Sequence, residues 1–135
     1  MAAPEVIDGY LAQFEGTARR VAEGEWGLTL PGESAGGWPL EVGLRLADGM
    51  VRAQAPAAAF DEALDPWMLL WWNRQTRYVR FACSRSREVW VHADWPAAAL
   101  DERSLDRLLG LLVEGALAVR SYAERVGGDG PGLAG

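Results

Sequence analysis

The chain contains no lysine: all 13 of its basic residues are arginine. No side-chain amine is therefore available for a Schiff base, a phosphate-loop lysine or a lysine general base. One cysteine, Cys83, and one histidine, His92, are too few for an internal disulfide, a cysteine metal cluster or a multi-histidine site. No catalytic, cofactor or metal site is expected. No stretch approaches the ~18 apolar residues that span a bilayer, and the start Met1-Ala2-Ala3-Pro4-Glu5 lacks the basic and apolar segments of a signal peptide. A cytoplasmic protein without membrane contact is the expectation. Acidity excludes more: a net charge of -6 and a sequence pI of about 4.8 oppose coating of duplex nucleic acid or binding to an anionic membrane, and suit basic partners better.

What is present is the composition of one soluble domain. A chain of 135 residues with 50% hydrophobic and 24% charged residues is long enough for one core and too apolar for wholesale disorder. After Pro4, Val6, Ile7, Tyr10, Leu11, Phe14, Ala18 and Val21 recur at three- and four-residue steps, which predicts a helix near residues 5–22 ended by Gly24. The period then drops to two. Trp26, Leu28 and Leu30 form one strand, and Leu40, Val42, Leu44 and Leu46 a second. Asp48-Gly49 turns the chain into a third strand from Met50 to Ala55, leaving Pro56 to Leu64 as a linker.

Asp65-Pro66 reads as a helix cap followed by proline at the first helical position, opening a helix near 66–77. Its run of Trp67, Met68, Leu69, Leu70, Trp71 and Trp72 is apolar nearly all round, so burial on more than one side is expected. Val79, Phe81 and Cys83, then Val89, Val91 and Ala93, alternate as a second hairpin broken at Trp95-Pro96. Asp101 can cap a last helix near 102–126, with Leu100 stapled against Leu105. The expected fold is α+β in the order α-β-β-β-α-β-β-α, a five-stranded, mostly antiparallel sheet with the first and last helices on one face. Residues 1–126 form the domain, and 127–135 a flexible glycine-rich tail.

This order, with the run Leu69-Leu70-Trp71-Trp72-Asn73-Arg74, the strand Tyr78-Val79-Arg80-Phe81, the return Val89-Trp90-Val91-His92 and the helix opened by Leu100-Asp101, resembles the YbjN-type family of bacterial proteins. The fold of that family is similar to that of type III secretion chaperones. The resemblance covers about Tyr10 to Tyr122, and its leucine-rich helix with an asparagine near the end is matched at Asn73 and Phe81. It implies a homodimeric, non-enzymatic protein-binding module linked to stress responses, motility or virulence regulation.

Candidate site residues fall on two surfaces. The polar side of the sheet should carry Glu41, Arg45, Arg52, Arg80, Glu88 and His92 around Trp90, an aromatic anchor with a charged rim, and Arg45, Arg52, Arg80, Trp90 and His92 are the expected partner-binding residues. The second helix is the expected dimer seam through Trp67, Trp71 or Trp72. Other features read as structure. Cys83 shares a strand face with Val79 and Phe81 and should pack as a small hydrophobe. His92 and Asp94 could pair, but nothing completes a zinc shell. Gly32 to Gly37 lacks the lysine and the following helix of a phosphate loop, and Ser84, Ser86, Ser104 and Ser121 lack an activating pair. The segment Trp71 to Arg87 holds Arg74, Arg77, Arg80, Arg85 and Arg87 without an acid, which leaves single-stranded nucleic acid as the alternative partner.

Overall fold

The computed structural model of the chain describes residues 2–14 and 16–134, with side chains described as far as residue 127. Helix α1 spans Ala3–Leu11 and buries Val6, Ile7, Tyr10 and Leu11, the first half of the expected stripe. The helix goes no further. A 3-10 turn over Ala12–Phe14 and Gly16 at φ +84° turn the chain, and Ala18–Ala22 is strand β1. Arg19 and Arg20 extend along it, while Val21, expected on the helix stripe, is exposed. The spacing of Ala18 and Val21 suits a helix, but only Gly16 takes this left-handed conformation without strain.

One extra strand makes the sheet six-stranded rather than five-stranded, and the element order α-β-β-β-β-α-β-β-α. Strand β2 is Glu25–Leu30, β3 Leu40–Ala47, β4 Met50–Ala59, β5 Val79–Cys83 and β6 Glu88–Pro96. Every pairing is antiparallel, in the spatial order β1-β2-β3-β4-β6-β5. Strand β4 runs past Ala55 through half of the expected linker, because a register shift between Pro56 and Ala58 absorbs the proline's missing donor. Strand β6 likewise runs on through Trp95 to Pro96, where it ends on Met50 of β4.

Helix α3, Glu102–Ala134, lies along the sheet's inner face, and α1 packs against α3. Its start is held reciprocally: Ser104 N–H donates to the Asp101 carboxylate at 2.7 Å, and Asp101 N–H donates to Ser104 Oγ at 2.9 Å. Leu105, Leu108, Leu112, Ala116 and Val119 then meet Val51, Ala53, Ala55, Val89 and Val91 in one core. Gly115 permits the close approach, since a Cβ there would stand 3.0 Å from Val91 and 3.1 Å from Val79. The tail expected over 127–135 lies, beyond residue 127, outside the residues whose side chains are described.

Helix α2, Pro66–Gln75, corrects a second expectation: it has no buried residue. It sits beside β5 at the edge of the sheet instead of inside the core.

Candidate functional site

On the outer sheet face, alternation places Arg45, Arg52, Gln54, Arg80, Trp90, His92 and Asp94 away from the helices. Register brings most of them together. His92 stands between Gln54 of β4 and Arg80 of β5, Trp90 between Pro56 and Ala82, and Arg45 opposite Arg52. Asp94 accepts from Arg52 Nε at 3.0 Å and from Arg80 Nη2 at 2.5 Å, so one carboxylate holds two guanidiniums in place. Burial penalises the Asp94 anion, but hydrogen bonds from the two arginines outweigh it and hold the carboxyl below its ordinary range. Burial first, and then the Arg52 and Arg80 charges, push the His92 imidazole below its usual value. Arg45 reaches sideways to Glu25 at 3.8 Å and lies at the rim.

Trp90 packs with its ring centroid 6.2 Å from that of His92, and its Nε1 is buried without a hydrogen-bond partner. The cluster therefore offers an aromatic surface, two oriented cations and a neutral imidazole, while the indole N–H is covered and unpaired. That suits recognition of another molecule. Among the described residues, no group of three or more histidine, cysteine or acidic side chains could hold a metal ion.

The second surface is built on α2. Asp65 caps it by accepting from Trp67 N–H at 2.9 Å. Leu69 packs on the core and the Asp65 N–H donates to the Tyr122 hydroxyl at 2.9 Å, and three further residues attach α2 to the body. Trp72 packs 5.5 Å from the rings of Phe81 and Tyr122, Asn73 bonds both backbone polar groups of Phe81, and the Thr76 hydroxyl donates to Val79 O at 2.5 Å. Helical geometry then sets the opposite side, where Trp67, Trp71 and Arg74 form a crest facing outward. Trp67 is 76% exposed, Leu70 59% and Trp71 53%. Of the three tryptophans expected at a dimer seam, two share the crest, whereas Trp72 is turned inward and belongs to its own chain's packing.

A groove of about 560 Å³ lies on one flank of α2, lined by Leu69, Leu70, Phe60, Phe81 and Val89 with Arg85 and Arg87 at its margin. Cys83 opens into it and is exposed, contrary to the expected packing. The alternation that put Cys83 on the side of Val79 and Phe81 holds, but it is the last residue of an edge strand and lies beyond the helical cover.

Sequence reasoning missed the role of Asn73 and that of Arg120. Arg120 is 3% exposed and reaches four main-chain carbonyls: Ala57 at 2.8 Å, Trp38 at 2.6 Å, Pro39 at 3.0 Å, and Ala35. Nothing in the apolar stripe of α3 marks this arginine, except that it falls next to Val119 on the buried side.

This architecture is the fold of type III secretion chaperones, with a TM-score of 0.70 to a chain of the HopA1–SchA chaperone–effector complex at 11% identity, covering 87% of this chain and 92% of that one. The Yersinia pestis type III secretion chaperone SycH, solved in complex with a stable fragment of YscM2, gives 0.66 at 12% identity over 86% of this chain and 98% of that one. The ExsC–ExsE complex gives 0.64 at 18% identity over 93% and 96%. At such identities the likeness is one of fold. No family model and no curated protein matches the sequence. No helix among the described residues is long and apolar enough to cross a membrane.

Proposed function

We propose that this protein is a non-enzymatic, homodimeric adaptor of the chaperone type, which pairs through the crest of α2 and holds another protein on its outer sheet face. The observation that carries the reading is the crest itself: a ten-residue helix with no buried side chain that presents Trp67 and Trp71 to solvent. Large apolar patches of this kind mark protein interfaces, and tryptophan is enriched there. The fold supports the same conclusion, since its neighbours include chaperones solved with the proteins they bind. The YbjN-type resemblance adds a stress-response setting to the proposal, and the expected location remains cytoplasmic.

On the sheet face, Trp90 is the anchor and Arg52, Arg80 and His92 are its rim, with Arg45 further out. Trp90→Ala should weaken partner binding by about 2 kcal/mol or more, the usual cost of truncating a central aromatic. A native pull-down supplies the partner, and calorimetry compares wild type with the variant, using circular dichroism as the folding control. Unchanged affinity in a folded variant removes Trp90 from the site.

One observation favours the alternative partner. Trp67, Trp71 and Arg74 share the exposed crest, an aromatic and cationic stripe of the kind single-stranded nucleic acid uses. The net charge of -6 opposes it, and Arg80 is engaged by Asp94. Saturable, salt-sensitive binding of a labelled oligonucleotide at two salt concentrations would establish it.

A further inference from the structure

We propose that Arg52, Arg80 and His92 form a receptor for one phosphate monoester group, carried by the protein that docks on the outer sheet face. The proposal rests on the reading of that face as a binding surface and names the chemistry it selects. Arg52 of β4 lies opposite Asp94 of β6, and His92 of β6 lies between Gln54 of β4 and Arg80 of β5. The bonds to Asp94, at 3.0 Å and 2.5 Å, take one donor from each guanidinium and fix where both point. A guanidinium has several N–H donors in a rigid fork, so most of them remain for a second oxyanion. The Arg52 and Arg80 side chains are 50% and 46% exposed, against 22% for Asp94, so the arginines stand open to solvent over the carboxylate that aligns them.

Charge then selects a dianion. Two guanidiniums face one carboxylate, which leaves a surplus of positive charge on this face of a chain whose net charge is -6. The neighbouring cation, Arg45, is matched by Glu25 at 3.8 Å and adds nothing to that surplus. A carboxylate or a phosphodiester, each with a single charge, would neutralise it and need nothing more. A phosphate monoester carries about two charges near pH 7, and His92 can answer the second.

The groups that face the imidazole are Gln54 and Arg52 from β4, Arg80 from β5, and Trp90 and Asp94 from its own strand. Burial and the two arginines keep it neutral, and Asp94 alone favours the proton. A bound dianion offsets both arginine charges, so the imidazole takes up a proton and becomes a third donor to the phosphate. Trp90 borders the site on the side away from Asp94. Its ring centroid lies 6.2 Å from that of His92, and opposite it on β5 stands the exposed Ala82, a methyl that leaves space for the carbon side of the ester.

The test uses the full-length protein and two probes of similar shape, phenyl phosphate and phenyl sulfate, which differ by about one charge at pH 7. Calorimetry in two buffers of different ionisation enthalpy counts protons, and the NMR signal of the single imidazole locates them. The expected result is saturable binding of phenyl phosphate, about tenfold or more tighter than that of phenyl sulfate, with proton uptake and a His92 midpoint that rises on binding. His92→Gln should make the two probes bind alike, and Arg80→Gln should weaken both by about tenfold or more. None of the three side chains belongs to the buried core, and circular dichroism checks the fold of each variant. Failure of phenyl phosphate to bind, equal affinity for the two probes, an unmoved His92 midpoint, or an undiminished preference in folded His92→Gln would each overturn the proposal. A partner held through Trp90 that binds as tightly after phosphatase treatment would also overturn it, while leaving the outer face standing as the docking surface.

Discussion

Asn73 and Phe81 are joined twice: the Asn73 side-chain amide donates to the Phe81 carbonyl at 3.0 Å and accepts the Phe81 N–H at 2.6 Å. One side chain thus acts as a one-residue strand, closing the sheet edge at that point and fixing α2 beside it. Asn73→Ala should lower stability by about 1–3 kcal/mol, because it leaves a part-buried donor and acceptor without partners. Urea unfolding measures the loss. Hydrogen exchange should locate it, with the Phe81 amide accelerated well before that of Val91. Wild-type stability in Asn73→Ala would show that the remaining contacts of α2, through Leu69, Trp72, Thr76 and the Asp65 cap, hold it without the amide.

Arg120 is a buried cation whose partners are carbonyls, and burial pushes its pKa down. Its planar fork spans Ala35, Trp38, Pro39 and Ala57, and its guanidinium lies 4.1 Å from the Trp38 ring, so α3 and the 31–39 loop share one clamp. Arg120→Met should cost about 3 kcal/mol, and Arg120→Lys should not restore it, since an ammonium cannot reproduce the fork. Thermal unfolding of the three proteins checks this. A lysine variant as stable as the wild type would contradict it.

His92 is the only histidine, so its titration can be followed by one imidazole NMR signal. Its midpoint should fall below the ordinary 6.5. Between the two values the unfolded chain binds a proton that the folded chain refuses, so stability declines as the pH drops through that window and is restored above 6.5. Asp94 adds a second stage. Its folded value lies below 3.8, so its contribution is present above 3.8 and is lost as the pH falls through the folded value. Asp94→Asn should lower the His92 midpoint further, because the carboxylate is the one neighbour that raises it. A midpoint above 6.5 would contradict the burial of His92 beside the two arginines.

Strands β2 to β6 and the caps at Asp65 and Asp101 were legible because alternation and capping are local properties. Strand β1 was not. Ala18 and Val21 continue a helical spacing, and the break lies in Gly16, whereas Gly24, read as the end of a helix, is the φ +73° turn between β1 and β2. The apolar run of α2 was plain, but periodicity cannot distinguish a face covered by the chain's own core from one left for a partner. That is why Trp72, grouped with Trp67 and Trp71 at the expected dimer seam, packs against its own chain while the other two stand in solvent. On the outer face the sequence grouped Arg52, Arg80, Trp90 and His92 by strand parity. It could not supply the shared Asp94, which depends on cross-strand register. The clamp at Arg120 lies beyond any local pattern, since its four carbonyls come from residues more than 60 positions away.

Pairing through the α2 crest is the claim on which the adaptor reading depends most, and light scattering at micromolar concentration measures it directly. Wild type should return twice the 14.7 kDa chain mass, and Trp67→Ser/Trp71→Ser should return the single-chain mass with its circular dichroism unchanged, because neither side chain is buried within its own chain. A wild-type mass of 14.7 kDa, or a dimer that survives both substitutions, would contradict it.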